Sequence, residues 1–329
     1  MGNIIGVDIG GTKCAVILGR NTVDHKTDLN DLSIIDKYIY KTDTNKGPGY
    51  MLNKIENGIE GILSKNNISR QDISKIGISC GGPLDSKKGI IMSPPNLPGW
   101  DDIRIVEIFE NKFGIKTSLE NDANACALAE WKYGAAKGFS NVIFLTFGTG
   151  FGAGMILDGR LYSGTNGMAG EIGHVRLESF GPVGYGKCGS VEGFCSGGGI
   201  AQLAKTKVLE KLQMGEAVSF CSGIDKIDLI DAKLTGDAAE AGDELAAEIY
   251  RISGVYLGRA LSILIDILNP EIIVIGSIYA RSTALLRDSM MAVINSESIK
   301  CSREACKIVP AGLGEKIGDY AALAIAAYA

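Results

Sequence analysis

The sequence of 329 residues has the composition of a folded globular protein of about two domains, with 46% apolar and 22% charged residues. Its 44 glycines stand beside only 8 prolines and show no three-residue period, which excludes collagen and indicates tight turns or close backbone approaches to a ligand. The formal net charge is -5, and lysine or arginine never occurs more than twice in succession. Nucleic acid and an anionic membrane surface are therefore disfavoured as partners.

Several features favour the cytoplasm. The N-terminal residues lack the basic region and cleavage pattern of a signal peptide. The most apolar long stretch, 261–276, is interrupted by Asp266 and Pro270 and is too short to span a bilayer. Eight cysteines are scattered without the spacing of a small disulfide framework, which is typical of reduced thiols. We therefore expect a cytoplasmic protein without a membrane span.

Two similar hairpins lie about half the chain apart. In the first, the apolar run IIGVDI (4–9) leads into GGTK and then into a second run, CAVIL. In the second, VIFLTF (142–147) leads into GTGFGAG (148–154) and then MIL, and the two units end in the similar strings ILGR and ILDGR. This repetition predicts a duplicated domain in which each copy begins with a strand, a glycine turn and a strand.

The segments around the hairpins follow the alternating pattern of an α/β fold. A helix predicted over 50–63 has one apolar face, and a buried strand follows at 73–80. We expect a smaller domain formed by 1–121 and 312–329, onto which the last helix packs, and a larger domain formed by 122–311. Further predicted elements are a helix at 246–268, a strand at 271–276 and a last helix at 319–329. The apolar face of the first helix consists of Met51, Leu52, Ile55, Ile59, Ile62 and Leu63.

The first glycine turn has the chemistry of a phosphate site. Two adjacent glycines let backbone N–H groups approach a phosphate, a hydroxyl and an ammonium group follow, and the preceding Asp8 could hold Mg²⁺ directly or through water. The spacing of a P-loop is absent, and a strand-like segment follows the turn. The alternative is a plain hairpin whose glycines only permit positive φ. The turn comprises Gly10, Gly11, Thr12 and Lys13.

The second turn comprises Gly148, Thr149 and Gly150. Its spacing resembles the dinucleotide-binding fingerprint, but it also leads into a strand, so a dinucleotide site is not expected. Two such turns from two copies of one fold, facing each other, would clamp a single polyphosphate. The pairing of the turns therefore favours a nucleotide.

A carboxylate lies at the start of a helix predicted over 122–134. Asp122 follows Asn121 at the junction of a strand-like segment with this helix. There it either caps the helix, by accepting from backbone N–H groups, or acts as a general base that takes the proton of an alcohol. The pattern by itself leaves both roles open.

Three later side chains are suited to neutral hydroxyl groups, since a carboxylate accepts several O–H bonds. Glu171 and His174 belong to the string GMAGEIGH, and Glu192 follows. The alternatives are a metal cluster with Cys188 and Cys195, or a histidine with a purely structural role.

A proline-rich loop supplies another candidate. Asn96 lies in PPNLPGW, where three prolines would hold the loop rigid and Trp100 would offer an apolar wall to a ligand. The alternative for this segment is a surface turn.

Taken in order along the chain, these strings resemble the ROK family of repressors, open reading frames and sugar kinases. The matching strings are IGVDIGGTK, GGPLD, PPNLPGW, ENDANACALAE, FLTFGTGFGAGMILDGRLYSG, AGEIGH and NPEIIVIG. The resemblance covers essentially the whole chain. It implies the two-domain actin-like ATPase fold, a duplicated ribonuclease H-like α/β architecture, with ATP and Mg²⁺ as phosphoryl donor, a hexose or amino-hexose as acceptor, and a homodimer.

The resemblance also implies roles for individual residues. The family's catalytic aspartate corresponds to Asp122. Its phosphate contacts fall on the turn at 10–13 and on 148–150. Its sugar contacts fall on Asn96, Asn121, Glu171, His174 and Glu192.

One departure from the family pattern concerns a structural zinc. Family members carry three cysteines that join the histidine of GEIGH on the metal. The corresponding positions here are Val183, Tyr185 and Ser190, and none of them supplies a thiolate. Cys188 and Cys195 are out of register. We therefore expect no metal ligands in this loop, which must be held by its own packing.

The leading hypothesis is an ATP-dependent sugar kinase in which Asp122 removes a proton from the 6-hydroxyl of glucose. Alternative acceptors are N-acetylglucosamine, N-acetylmannosamine and fructose. Repressors of the family carry a helix-turn-helix segment before the first phosphate motif, and we expect none here because that motif begins at Asp8. A sugar-sensing regulator without a DNA-binding domain remains as a second class. The sugar-type residues disfavour a nucleotide-switch ATPase.

Overall fold

The structure is a computed structural model that describes residues 2–24 and 29–328. The strands, in chain order, are β1 (Gly2–Ile9), β2 (Lys13–Asp24), β3 (Leu29–Lys41), β4 (Ile73–Cys80), β5 (Leu84–Asp85), β6 (Ile90–Ile91), β7 (Thr117–Asn121), β8 (Val142–Phe147), β9 (Phe151–Leu157), β10 (Arg160–Leu161), β11 (Val183–Gly184), β12 (Lys187–Cys188), β13 (Ile272–Ile275) and β14 (Lys307–Pro310). The helices are α1 (Gly47–Lys65), α2 (Ile105–Phe113), α3 (Asp122–Tyr133), α4 (Val191–Phe194), α5 (Gly197–Gln213), α6 (Ala232–Glu240), α7 (Glu244–Leu268), α8 (Ile278–Arg281), α9 (Thr283–Glu297), α10 (Lys300–Ala305) and α11 (Ile317–Tyr328).

The long predicted elements are present. The strand at 73–80 has the predicted bounds, and the two predicted hairpins are β1–β2 and β8–β9. All six residues predicted for the apolar face of α1 are buried, because a helix with apolar residues three and four apart places them on one side. In the described ranges, no helix is both long enough and apolar enough to cross a membrane.

The chain divides into two compact units. The first comprises the chain up to Ser140, Gly154–Ala169 and the chain from Gly312 onward, and the second comprises Asn141–Ala153 and Gly170–Ala311. The first unit therefore includes α3 and extends beyond the predicted boundary at residue 122. Contacts of α3 with the C-terminal part of the first unit explain the difference, since Glu130 of α3 accepts from Gly312 N at 3.1 Å and from Leu313 N at 2.9 Å.

In the first unit, five strands form one sheet in the order β3-β2-β1-β4-β7. β2 is antiparallel to β1 and β3, whereas β4 is parallel to β1 and β7. The core side of the sheet packs on α1 and α2. On the opposite side α11 lies so close that a Cβ at Gly6 or Gly77 would meet backbone atoms of this helix within about 3 Å. The last helix thus packs on the sheet of the first unit.

A second five-stranded sheet has the order β10-β9-β8-β13-β14, and β13 is parallel to both β8 and β14. Its order β9-β8-β13-β14 repeats the order β2-β1-β4-β7 of the first sheet. In both sheets, a glycine turn connects the first strand to a hydrogen-bonded neighbour, and the same first strand pairs in parallel with another strand. The duplication predicted from the two hairpins is confirmed.

Candidate functional site

The first glycine turn is closed by backbone hydrogen bonds and by a threonine from the end of β3. Gly10 N donates to Lys13 O at 3.1 Å, and Thr42 N donates to Thr12 O at 3.0 Å. The buried Thr42 hydroxyl also donates to Gly10 O at 2.6 Å. Thr42 was missed from the sequence because nothing in its neighbourhood indicates that the end of β3 reaches the turn.

The glycines of this turn serve close packing rather than positive φ. Neither Gly10 nor Gly11 has a positive φ, so the plain-hairpin alternative is wrong on that point. A Cβ at Gly11 would lie 2.4 Å from the backbone oxygen of Asn96, which places the exposed Asn96 beside the turn. Trp100 of the same loop is 2% exposed and belongs to the hydrophobic core, so its predicted role as a ligand-facing wall is wrong.

The structure at the junction between β7 and α3 shows which residue caps the helix, and so bears on whether Asp122 is a helix cap or a base. The N-cap residue of α3 is Asn121, which has extended backbone angles and whose Oδ1 accepts from Ala123 N at 2.9 Å. Asp122 is the first helical residue, and its Oδ1 accepts from the same N–H at 2.9 Å. Its Oδ2 faces Gly81, where an added Cβ would still be 4.0 Å away. The capping position therefore belongs to Asn121.

Two carboxylates near this junction have raised pKa values. Asp122 is accessible to solvent and yet surrounded by protein atoms, as a side chain in a recess is, and this partial burial raises its pKa. Burial, followed by the charge of Asp122, raises the pKa of Asp8 to about 7, while Lys13 opposes the shift. The two carboxylates are therefore close enough to repel each other.

The Asp8 carboxylate fits a magnesium ion that would complete its coordination with phosphate oxygens and water. Such an ion uses only one or two protein carboxylates. Within the part of the chain that the structure describes, no three His, Cys, Asp or Glu side chains group together as a ready metal cage. A single carboxylate such as Asp8 would meet this smaller requirement of Mg²⁺ bound to a nucleotide, without the use of Asp122.

The start of α11 contributes a charged pair beside Asp8 that was not recognised in the sequence. Asp319 Oδ1 lies 2.5 Å from Lys37 Nζ of β3. A Cβ at Gly318 would lie 3.5 Å from Asp8 Oδ2, so the first turn of α11 lies against that carboxylate. These residues come from opposite ends of the chain, and no local pattern links them.

The second glycine turn is held differently. Gly148 N donates to Gly150 O at 3.1 Å, and Gly148 O accepts from Gly197 N at 2.8 Å. Immediately after the turn, Phe151 N donates to Glu192 Oε2 at 3.0 Å. A Cβ at Gly150 would lie 2.9 Å from that carboxylate oxygen. Glu192, a predicted sugar contact, therefore adjoins the predicted phosphate turn.

A strained serine also adjoins this turn and was missed from the sequence. Ser277 follows β13 and is exposed. Its backbone has φ 53° and ψ -113°, a conformation that residues other than glycine rarely adopt. Its Oγ would lie 3.6 Å from a Cβ added at Gly148. Strain of this kind is found preferentially where a ligand or a neighbouring segment constrains the backbone.

Glu171 and His174 lie at the two ends of one short turn. Ile172–His174 forms a 3-10 helix, and His174 N donates to Glu171 O at 3.1 Å. Both side chains are exposed. A Cβ at Gly173 would lie 1.9 Å from Phe151 O, so this turn packs directly against the start of β9.

The predicted site residues are divided between the two units. The first group is Asp8, Gly10, Gly11, Thr12, Lys13, Asn96, Asn121 and Asp122. The second group is Gly148, Thr149, Gly150, Glu171, His174 and Glu192.

Comparisons with known proteins show the family of the chain. The model of the ROK family matches residues 4–328. A glucokinase from Halalkalibacterium halodurans is 33% identical over 274 residues, which are 83% of this chain and 79% of that protein. A xylose repressor from Bacillus spizizenii is 27% identical over 316 residues, which are 95% of this chain and 74% of the repressor.

Among solved structures, a ROK-family glucokinase from Streptomyces griseus in complex with glucose and AMPPNP matches with a TM-score of 0.75. It is 27% identical, and the match covers 100% of both chains. The actin-like ATPase fold predicted from the sequence is confirmed.

Proposed function

The chain belongs to the ROK family, and on this premise we propose that it is an ATP-dependent kinase that phosphorylates the 6-hydroxyl of glucose. The observation that carries the proposal is the environment of the Asp122 carboxylate. Its carboxylate is accessible, its pKa is raised by burial, and the helix-capping position beside it is filled by Asn121. The glucokinase from H. halodurans and the glucose complex of the S. griseus enzyme support this choice of sugar.

In the proposed reaction, Asp122 accepts the proton of the sugar hydroxyl while that oxygen attacks the γ-phosphorus of ATP and ADP leaves. A raised pKa suits this task, since a more basic carboxylate accepts a proton more readily. Mg²⁺ held by Asp8 would supply positive charge to the phosphates, and Lys13 and the turn N–H groups would add to it. The residues proposed to hold the sugar are Asn96, Asn121, Glu171, His174 and Glu192.

The acceptor is tested with purified protein, ATP and Mg²⁺ against glucose, N-acetylglucosamine, N-acetylmannosamine, fructose and xylose. We expect the highest kcat/KM with glucose. A higher kcat/KM with an N-acetylhexosamine or with fructose would support a kinase whose substrate is that sugar instead of glucose.

The similarity to the B. spizizenii xylose repressor supports a second candidate function, a sugar-sensing regulator. Binding of a sugar without turnover of any would favour that candidate.

The base is tested by Asp122→Asn. Asparagine keeps the side-chain shape but cannot accept the proton, so kcat should fall by about 10²–10⁴ while glucose binding persists. Asp231→Asn is the matched control, because Asp231 caps α6 through a bond from Leu234 N at 2.7 Å and asparagine caps equally well. Near-normal turnover of the Asp122 variant would remove this residue from the chemistry.

A further inference from the structure

The three positions at which the family carries zinc-binding cysteines make other contacts in this chain. Val183 N donates to Gln202 Oε1 and Val183 O accepts from Gln202 Nε2, both at 2.9 Å. The Tyr185 ring packs edge-on against His174, with the ring centroids 6.0 Å apart. Ser190 is fully buried, and its Oγ accepts a backbone N–H of α4 at 3.1 Å. Each position therefore fixes the loop without a metal.

The nearby cysteines do not fit a zinc site either. Cys188 Sγ lies 3.6 Å from the carbonyl oxygen of Ser179, and the buried Cys195 Sγ lies 3.6 Å from the carbonyl oxygen of Ser253 in α7. The two thiols are thus engaged with different parts of the unit. A tetrahedral zinc needs four converging ligands, which these residues do not provide.

A second set of contacts ties the loop to α7. Arg259 Nη1 donates to Glu178 Oε1 at 2.6 Å, and the Tyr256 hydroxyl donates to the same oxygen at 3.3 Å. The Tyr256 ring stacks on Phe194 at the end of α4, with centroids 3.5 Å apart and planes 7° apart. The loop and α4 are therefore both held against one helix.

These contacts reach a predicted sugar ligand through the β11–β12 hairpin. A Cβ at Gly184 would lie 2.7 Å from Glu192 Cβ, so the hairpin packs directly against Glu192. Ser190 caps the short helix that begins just before Glu192. Movement of the hairpin would therefore displace the Glu192 carboxylate from its bond with Phe151 N.

We propose that Gln202 of α5 and Arg259 of α7 act as positioning residues that replace the family's metal: they hold the loop 174–190 and thereby place Glu192 to accept hydroxyl groups of the sugar. The inference rests on the proposed function for the role of Glu192. The fastening of the loop by Gln202 and Arg259 can be measured independently of that function.

The test uses the full chain with Gln202→Ala, Arg259→Ala and the double substitution. Gln213→Ala is the matched control, since Gln213 is an exposed glutamine at the other end of α5. Each single substitution should raise the KM for glucose about 3-fold to 10-fold, as expected for the loss of one or two hydrogen bonds, and the double more. The KM for ATP should rise less than the KM for glucose, and kcat should stay within about twofold, because the substituted residues contact neither the turn at 148–150 nor Asp122. Hydrogen exchange over 175–190 should accelerate in these variants and not in the control.

Three results would overturn the proposal. The first is an unchanged KM for glucose in the double variant. The second is an equal rise in KM for glucose and ATP, which would indicate general damage to the fold. The third is one zinc per chain by elemental analysis, with chelation weakening sugar binding. If the wild type phosphorylates none of the sugars, the proposed function fails, and the variants are judged by calorimetric Kd for the sugar it binds. Absence of any sugar binding would overturn both.

Discussion

The two glycine turns occupy equivalent places in two copies of one sheet, yet they are built differently. The turn at 10–13 is packed by the backbone of Asn96, closed by Thr42 and flanked by charged side chains. The turn at 148–150 has no charged residue within it, and the nearest atom to a Cβ at Gly148 is Ser277 Oγ at 3.6 Å. One glycine is therefore required by the fold, whereas the other is not.

This difference indicates why each position is a glycine: one because of the packing of the protein, the other because of a bound ligand. At Gly11 the protein itself fills the space that a side chain would need. At Gly148 the protein leaves ordinary van der Waals room, so a requirement for glycine there would arise from the nucleotide. Substitution of glycine should therefore lower stability in the turn at 10–13 and weaken nucleotide binding in the turn at 148–150.

The largest effect is expected for Gly11→Ala. The new Cβ would lie 2.4 Å from a backbone oxygen, so a segment must move, and the free energy of unfolding should fall by about 3 kcal/mol. Urea denaturation measures this value. Gly49→Ala is the control, because nothing lies within 4 Å of a Cβ at Gly49. An unchanged denaturation midpoint for Gly11→Ala would mean that the Asn96 loop yields at little cost.

A smaller effect with a defined pH dependence is expected for Asp8→Asn. Burial raises the pKa of Asp8 from 3.8 to about 7, so the folded state favours the protonated acid, and stability is lost as pH rises between these values. The variant should therefore exceed the wild type by about 2 kcal/mol at pH 8 without nucleotide, since water still reaches this carboxylate and reduces the full effect of about 4 kcal/mol. The advantage should vanish near pH 4.

Asp36→Asn is the control for this experiment, and we expect it to lower the free energy of unfolding where Asp8→Asn raises it. Hydrogen bonds from Lys65 and Asn66 lower its pKa to about 2, so its contribution is present above pH 4 and is lost as pH falls toward 2. Asp36→Asn should lose stability at neutral pH. Urea denaturation from pH 2 to 8 measures both variants, and parallel curves for wild type and Asp8→Asn between pH 4 and 8 would contradict the account of Asp8.

The smallest effect is expected for Gly148→Ala. The fold should tolerate the new methyl group, with the free energy of unfolding within about 0.5 kcal/mol of the wild type. The KM for ATP should rise about tenfold, or about 1.4 kcal/mol, because the methyl group lies where a phosphate would approach the turn. Gly150→Ala provides the contrast, since its Cβ would press on Glu192 and should weaken sugar binding as well. An unchanged KM for ATP would place the nucleotide elsewhere.

The elements that the sequence predicted well are those with a short repeating pattern. The apolar face of α1 and the strand at 73–80 follow from spacings of three or four residues and from a continuous apolar run. The boundary at residue 122 differs from the observed division, because the sequence separates a strand from a helix there while the packing of α3 keeps it with the first unit. A boundary depends on contacts between distant segments, which no local pattern reports.

The sequence by itself determined the duplicated hairpins, the two glycine turns and the residue types available for phosphate and sugar, because these are encoded in contiguous strings. Only the tertiary structure decided what each residue does within them. The capping of α3 by Asn121, the packing of Asn96 against Gly11 and the bonds of Gln202 to Val183 each join segments that the chain separates or leaves ambiguous. The pKa values of Asp8 and Asp122 likewise arise from burial, which exists only once the chain has folded.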